Sequence, residues 1–271
     1  MTKKLLIKGY KLEPSKPKVL FYDVETTPLK AYIWRTGKQY VDQSFLVKGD
    51  RTKIICIAYK WNYERKIHAL TWDIKNQNCD KIIEEFSKIV EQADVAIAHN
   101  GDKFDVRQIN TQRLMAKKKP IAWPTTEDSL KQLRKIFYFP SYKLTYIAKL
   151  LLNKEKSPMV FKDWLDIVER KDVKAQSKMV AYCKRDVILL ANAYKIVQPF
   201  LMPKVSRALL TSKGKCVSCG SVDVHGKGTI TLRAGMYQKY QCQTCGHYFR
   251  STKKSDPEAV LLKRSLLKKG K

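Results

Sequence analysis

Two acids in the stretch Phe21-Tyr22-Asp23-Val24-Glu25-Thr26-Thr27 constrain this chain more than any other feature. The apolar run Val19-Leu20-Phe21-Tyr22 leads straight into them and predicts a buried strand over residues 18–23. Alternation along an extended strand places Asp23 and Glu25 on one face. Neighbouring like charges at the end of a buried strand repel each other and resist desolvation. A fold keeps such a pair at low cost only where a cation neutralises it, and a hard divalent metal ion is the natural one. The rest of the chain must then bring further carboxylates to the same point.

The pattern downstream is that of an α/β domain on a mixed sheet. Residues 28–52 form a long polar connection holding Trp34, Gly37, Phe45 and Gly49, a length often found in functional loops. Residues 53–61 and 66–72 read as two strands joined by a turn at 62–64. Asp80 is the expected cap of a helix running to about residue 92. Residues 94–99 are a short apolar strand ending at the turn signal Asn100-Gly101. Helical patterns follow at 104–116, 129–137, 144–152, 163–169 and 173–197, the last being the longest and stopping at Pro199. With 271 residues the chain suits one medium domain, 18–199, plus a small appendage.

Two further acids fall where a site needs them. Asp105 ends His99-Asn100-Gly101-Asp102-Lys103-Phe104-Asp105, just past a strand and at a helix start, the edge at which open α/β sheets place their sites. Taken alone it also suits a helix N-cap. Tyr182 and Asp186 lie four apart inside the last helix and project from one face. Taken alone they suit a core tyrosine and a surface acid.

Together these motifs resemble the DEDD superfamily, the DnaQ-like 3′–5′ exonucleases with an RNase H-like fold. Asp-x-Glu on the first strand, Asn-x-x-x-Phe-Asp after a later one and Tyr-x-x-x-Asp on a late helix match its three motifs. The tyrosine is similar to that of the DEDDy branch, which includes proofreading domains of B-family DNA polymerases. The segment Tyr142-Lys143-Leu144-Thr145-Tyr146-Ile147-Ala148 resembles the helix before the third motif in the B-family-like members. The resemblance implies an RNase H-like mixed sheet flanked by helices. It implies that Asp23, Glu25, Asp105 and Asp186 hold two Mg²⁺ or Mn²⁺ ions and that Tyr182 orients the attacking water. It further implies substrate contacts from Thr26, Asn100 and Phe104, with Leu29 and Tyr142 stacking on bases. His99 is expected to end its strand structurally, and Cys56 and Cys183 to behave as small buried hydrophobes.

A separate module follows. Cys216-Val-Ser-Cys219-Gly and Cys242-Gln-Thr-Cys245-Gly form two CxxC knuckles, the arrangement of a closed tetrahedral Zn²⁺ site. Residues 229–240 between them supply a hairpin, and the module resembles a zinc ribbon. Four cysteines suffice as ligands, although His247 is adjacent. The expected layout is a basic segment 1–17, the nuclease domain 18–199, a linker 200–215, the ribbon 216–250 and a basic tail 251–271 with a capped helix start at Ser255-Asp256-Pro257-Glu258.

Net charge selects the partner. The chain carries +29. Residues 204–271 hold 15 Lys and Arg against 3 Asp and Glu, a net of +12, which leaves +17 for residues 1–203. Both parts attract a polyanion, most simply nucleic acid. No apolar run reaches the length of a membrane span and no signal peptide is evident, so no membrane partner and a cytoplasmic protein, bacterial or in a phage-infected host, are expected. Seven cysteines without a secretory signal also fit a reducing compartment. The expected activity is a metal-dependent 3′–5′ exonuclease on single-stranded or frayed 3′ ends, DNA favoured, with a DNA polymerase or replication complex as a candidate partner. The alternatives are an RNase H-like endonuclease or exoribonuclease, and a catalytically weak nucleic-acid-binding accessory protein. Lysine richness and the two-module layout suit a phage protein.

Overall fold

A computed structural model describes residues 16–154, 159–211 and 214–256. The chain divides into two units, Lys18–Ile196 and a smaller one made of Met1–Pro17 with Val197–Lys271.

The larger unit is built on a five-stranded sheet of β1 (Val19–Thr26), β2 (Ile54–Trp61), β3 (His68–Thr71), β4 (Val95–Ala98) and β5 (Thr125–Asp128), in the order β3-β2-β1-β4-β5. The pairs β1–β2 and β2–β3 are antiparallel, while β1–β4 and β4–β5 are parallel. The fold class is thus the expected one, a mixed α/β sheet flanked by helices α1 (Asp80–Val90), α2 (Asp105–Met115), α3 (Ser129–Ile136), α4 (Leu144–Leu152), α5 (Phe161–Arg170) and α6 (Val173–Val197). Ile54, Ile55, Cys56, Ile57 and Ala58 are wholly buried, as a strand covered on both faces requires. Alternation on β1 sorts its side chains between layers. Phe21 meets Tyr194 of α6 edge-on at 5.6 Å between centroids, whereas Tyr22 packs on Phe86 of α1 at 5.3 Å. Burial of such side chains contributes about 1.5–3 kcal/mol each.

Three local departures have clear causes. β1 runs to Thr26 rather than stopping at Asp23, because Asp23, Val24 and Glu25 all stay in register with Ala58, Ile57 and Cys56 of β2. The register then slips, so that Thr26 pairs with Ile54, and this bulge turns the strand end. Asp80 is the first residue of α1 and not its cap; the Asn78 side chain accepts from the Asp80 N–H at 2.7 Å. β5 is a strand of Thr-Thr-Glu-Asp with no apolar run to announce it, held by parallel pairing with β4.

The smaller unit carries a three-stranded antiparallel sheet of β6 (Val224–Leu232), β7 (Gly235–Cys242) and β8 (Tyr248–Lys254). The hairpin expected over 229–240 is longer at both ends, and β8 adds a third strand. The helix start expected at 255–258 lies largely outside the described residues. Among the described residues no helix is long and apolar enough to cross a membrane.

Candidate active site

β1 and β4 run parallel, so their carboxyl ends open on the same edge of the sheet. Asp23 and Glu25 stand at that end of β1, and α6 delivers Asp186 to them. One carboxylate oxygen from each of the three lies within 4.8 Å of the others. Asp186 is buried, while Asp23 and Glu25 are half-buried and reachable from solvent. Tyr182 sits one turn before Asp186 on α6 and is half-buried. Cys183, wholly buried, packs its Sγ 3.4 Å from the Asp23 carbonyl oxygen and 3.6 Å from its Oδ2. Burial pushes the Cys183 thiol well up, and neighbouring Cys56 adds to this, so the S–H remains a donor to Asp23. Both cysteines are buried as expected, and Cys183 also positions an acid.

Asp105 stands slightly apart. It is not one of the three acids within 4.8 Å. It opens α2, with Phe104 in the cap position, so the plain helix-cap reading does not hold. The residue is 2 % exposed. Burial and then the charge of Asp23 hold its carboxyl well above the usual range, with Glu25 adding to the rise, while backbone N–H groups of Asp105 itself and of Val24 oppose it. Its Oδ1 is buried without a hydrogen-bond partner. A buried carboxylate with an unmatched oxygen, repelled by two more, has the environment of a cation ligand.

The turn that carries Asp105 is locked. Asn100 adopts a left-handed φ of 70° and its N–H donates to Asp128 Oδ1 at 3.0 Å. Asp128 also caps α3 through the N–H groups of Leu130 and Lys131. A Cβ on Gly101 would lie 2.5 Å from the Ala98 Cβ, so this position admits only glycine without a shift. His99 bonds Ser129 Oγ at 2.9 Å and the Tyr142 carbonyl at 2.8 Å, the structural role expected of it. Asp128 and Ser129 were missed as positioning residues; an Asp-Ser pair just ahead of a helical pattern was the available signal.

The expected substrate contacts spread around this edge. Thr26 ends β1 half-buried, its carbonyl accepting from Trp164 Nε1 at 3.1 Å. Leu29 and Phe104 are exposed. Asn100 and Tyr142 line an open cleft of about 660 Å³ with His99, Arg134 and Lys143. The Tyr142 hydroxyl donates to the Phe137 carbonyl at 2.7 Å and the Arg134 guanidinium lies 5.5 Å from its ring centroid, so Tyr142 forms a fixed wall.

Residues 20–198 match the RNase H superfamily. The chain belongs to that superfamily. No curated protein matches it. Among solved structures it is similar to the family B DNA polymerase from the hyperthermophilic archaeon Pyrobaculum calidifontis, with a TM-score of 0.48 and 13% identity over 70% of this chain and 26% of the polymerase. It spans about a quarter of the polymerase's length. RNase H superfamily members are mostly nucleases that use divalent metals, and the acidic cluster of this RNase H unit is compatible with such ions.

The second cluster lies in the smaller unit. Sγ atoms of Cys216, Cys219, Cys242 and Cys245 all lie within 4.8 Å of one another. Cys216 and Cys245 are 3.7 Å apart, and Cys219 and Cys242 are 3.6 Å apart. Four sulfurs at the usual Zn–S distance of about 2.3 Å occupy tetrahedron corners roughly 3.8 Å apart, so the spacing fits one Zn²⁺. It does not fit disulfides, whose sulfurs bond at about 2.0 Å. The thiols also disagree electrostatically without a cation. Hydrogen bonds from Cys219 and Cys245 hold Cys216 far down, while Cys216 pushes Cys219 far up and Cys245 to about 12. His247 stays out of the cluster: its ring is buried and bonds the Pro199 carbonyl at 2.8 Å.

Proposed function

We propose that the chain is a metal-dependent 3′–5′ exonuclease of the DEDDy type that removes nucleotides from single-stranded or frayed 3′ ends, DNA favoured. The observation that carries this reading is the convergence of Asp23, Glu25 and Asp186 within 4.8 Å of one another, with buried Asp105 alongside, in a chain of the RNase H superfamily. Asp23, Glu25, Asp105 and Asp186 would hold two Mg²⁺ or Mn²⁺ ions. Bound there, such ions supply an activated water and neutralise the leaving oxygen.

The chain's own residues do the rest. Tyr182, one turn from Asp186, orients the water for attack on the terminal phosphorus. The P–O bond to the preceding 3′ carbon's oxygen breaks, that oxygen takes up a proton, and a 5′-mononucleotide leaves. Cys183 fixes Asp23 from behind, and the Asp128 latch fixes the turn of Asp105. Thr26, Leu29, Asn100, Phe104 and Tyr142 surround the terminal nucleotide. The four-cysteine unit is a zinc ribbon, with Zn²⁺ structural and its basic, aromatic face adding nucleic-acid contact; Arg250 lies 4.2 Å from the Tyr237 ring centroid, and Lys239 lies 5.6 Å from that of Tyr248. A replication complex, in a bacterial or phage-infected cytoplasm, is the setting this activity suits.

The test is a 5′-labelled single strand incubated with Mg²⁺ and either the wild type or Asp23→Ala. Wild type is expected to shorten the strand stepwise from its 3′ end and Asp23→Ala to leave it intact. Equal degradation by both would remove the acid cluster from the chemistry.

A further inference from the structure

Residues 28–52 join β1 to β2, so the strand bearing Asp23 and Glu25 runs directly into them. Their base is anchored. The Tyr32 N–H donates to the Phe45 carbonyl and the Val47 N–H to the Lys30 carbonyl, each at 2.9 Å. The Lys30 ammonium pairs with Glu169 of α5 at 2.7 Å, and its N–H donates to Asp50 at 2.5 Å. Beyond this base the large side chains are left in solvent: Trp34 is 96% exposed, Tyr40 91% and Tyr32 77%. Core packing cannot account for them, and exposed aromatics in one segment mark an interaction surface.

The charges around them narrow the occupant. Arg35 and Lys38 lie between Trp34 and Tyr40, and no acid occurs from Lys30 to Val41. Asp42, the next acid, is committed within the loop, accepting from the N–H and hydroxyl of Ser44 at 2.8 Å and 2.7 Å. Flat π faces on either side of a pair of cations suit bases on either side of phosphates. Single strands bind such surfaces by stacking and charge, with little sequence preference.

We propose that this arm is a stacking platform for single-stranded nucleic acid, with Trp34 and Tyr40 against bases and Arg35 and Lys38 against phosphates. It deepens the nuclease reading by giving the substrate strand a holding site outside the catalytic edge, and rests on that reading only for where the strand goes next.

Trp34 reports on the arm directly. Trp61 and Trp72 are buried, and Trp123 and Trp164 are half-buried, which leaves Trp34 as the fully exposed indole. Full-length zinc-loaded protein carrying Asp23→Asn, which keeps the oligonucleotide intact, is titrated with an oligothymidylate, an oligouridylate and a blunt duplex while tryptophan emission is read. Either single strand, or both, is expected to quench emission, showing whether deoxyribose or ribose is preferred; the duplex is expected to leave it unchanged. Trp34→Phe is expected to lose most of the quench. Trp34→Ala is expected to weaken binding about tenfold and the pair Trp34→Ala, Tyr40→Ala about a hundredfold. Those losses should leave the salt dependence unaltered, whereas Arg35→Ala with Lys38→Ala should lower its logarithmic slope by about 1.4. Unchanged affinity and quench in the aromatic variants would overturn the proposal and leave the arm as a surface for protein. Quenching by oligonucleotide with no hydrolysis by wild type would sink the nuclease reading and keep the arm; hydrolysis with no arm effect would do the reverse.

Discussion

The acidic and thiol clusters use one device in two settings. Each gathers groups whose negative charges repel, and each fits a cation. The acids, however, sit at the edge of a sheet whose central strands are mostly buried, so their scaffold stands on apolar packing. The four cysteines sit in a unit where β6 has no buried residue and β8 none either. Of β7, only Tyr237 and Cys242 are buried. There the cluster itself is much of the core. A cation at the first site should matter to chemistry and little to folding, and at the second the reverse.

Four experiments separate the two clusters. The largest effect should follow from removing zinc, whose binding contributes on the order of 10 kcal/mol to folding of small metal-built units. A strong chelator, or Cys216→Ser, is expected to abolish amide protection over β6–β8 while leaving β1, β2 and β4 protected. Uniform loss or uniform retention across both sheets would contradict the division. Next, Asp186→Asn should reduce hydrolysis about a thousandfold or more, equivalent to roughly 4 kcal/mol, with an unfolding midpoint close to that of wild type. A variant that unfolds instead would make Asp186 a structural acid.

Third, Asp105 gives a pH signature. Its carboxyl is held above the ordinary range in the folded protein. Stability from this group is therefore complete below the unfolded pKa and is lost as pH rises through the folded one, since ionising Asp105 costs more in the fold than in the unfolded chain. Protein holding zinc but no Mg²⁺ should lose denaturant resistance over that rise, and Asp105→Asn should flatten the loss, a difference of about 1–3 kcal/mol. Mg²⁺ should restore wild type more than the variant; a variant with the wild-type pH profile would remove Asp105 from the site. The smallest effect is expected for Gly101→Ala. Its Cβ would fall 2.5 Å from the Ala98 Cβ, and relief of that overlap should cost about 1–3 kcal/mol. Activity should fall more than stability, because the same turn aims Asp105. Equal activity at reduced stability would show that the turn can move without the acid.

The clusters were legible in the sequence because each rests on local spacing. Asp-x-Glu alternates along one strand, Tyr182 and Asp186 share one helix face, and CxxC brings two sulfurs together within a knuckle. The sheet centre was legible for the same reason, through apolar runs at 54–59 and 95–98. Polar strands were not: β5 has no apolar residue and is a strand only because β4 lies beside it. The contact of Cys183 with Asp23 joins α6 to β1 and has no local trace. Trp34 was visible as a residue, but its exposure was not, since an aromatic in a long connection usually packs. Asp105 could be placed at a helix start, yet its position outside the tight group of the other three acids is something only the fold supplies.

The proposed exonuclease begins hydrolysis at a free 3′ end. Two matched 5′-labelled single strands test it, one with an ordinary 3′ terminus and one whose terminal linkages are phosphorothioates, each incubated with wild type and Mg²⁺. The free end is expected to give a ladder that shortens one nucleotide at a time, and the capped strand to persist at full length. Internal fragments from the capped strand would contradict the exonuclease and make the protein an endonuclease.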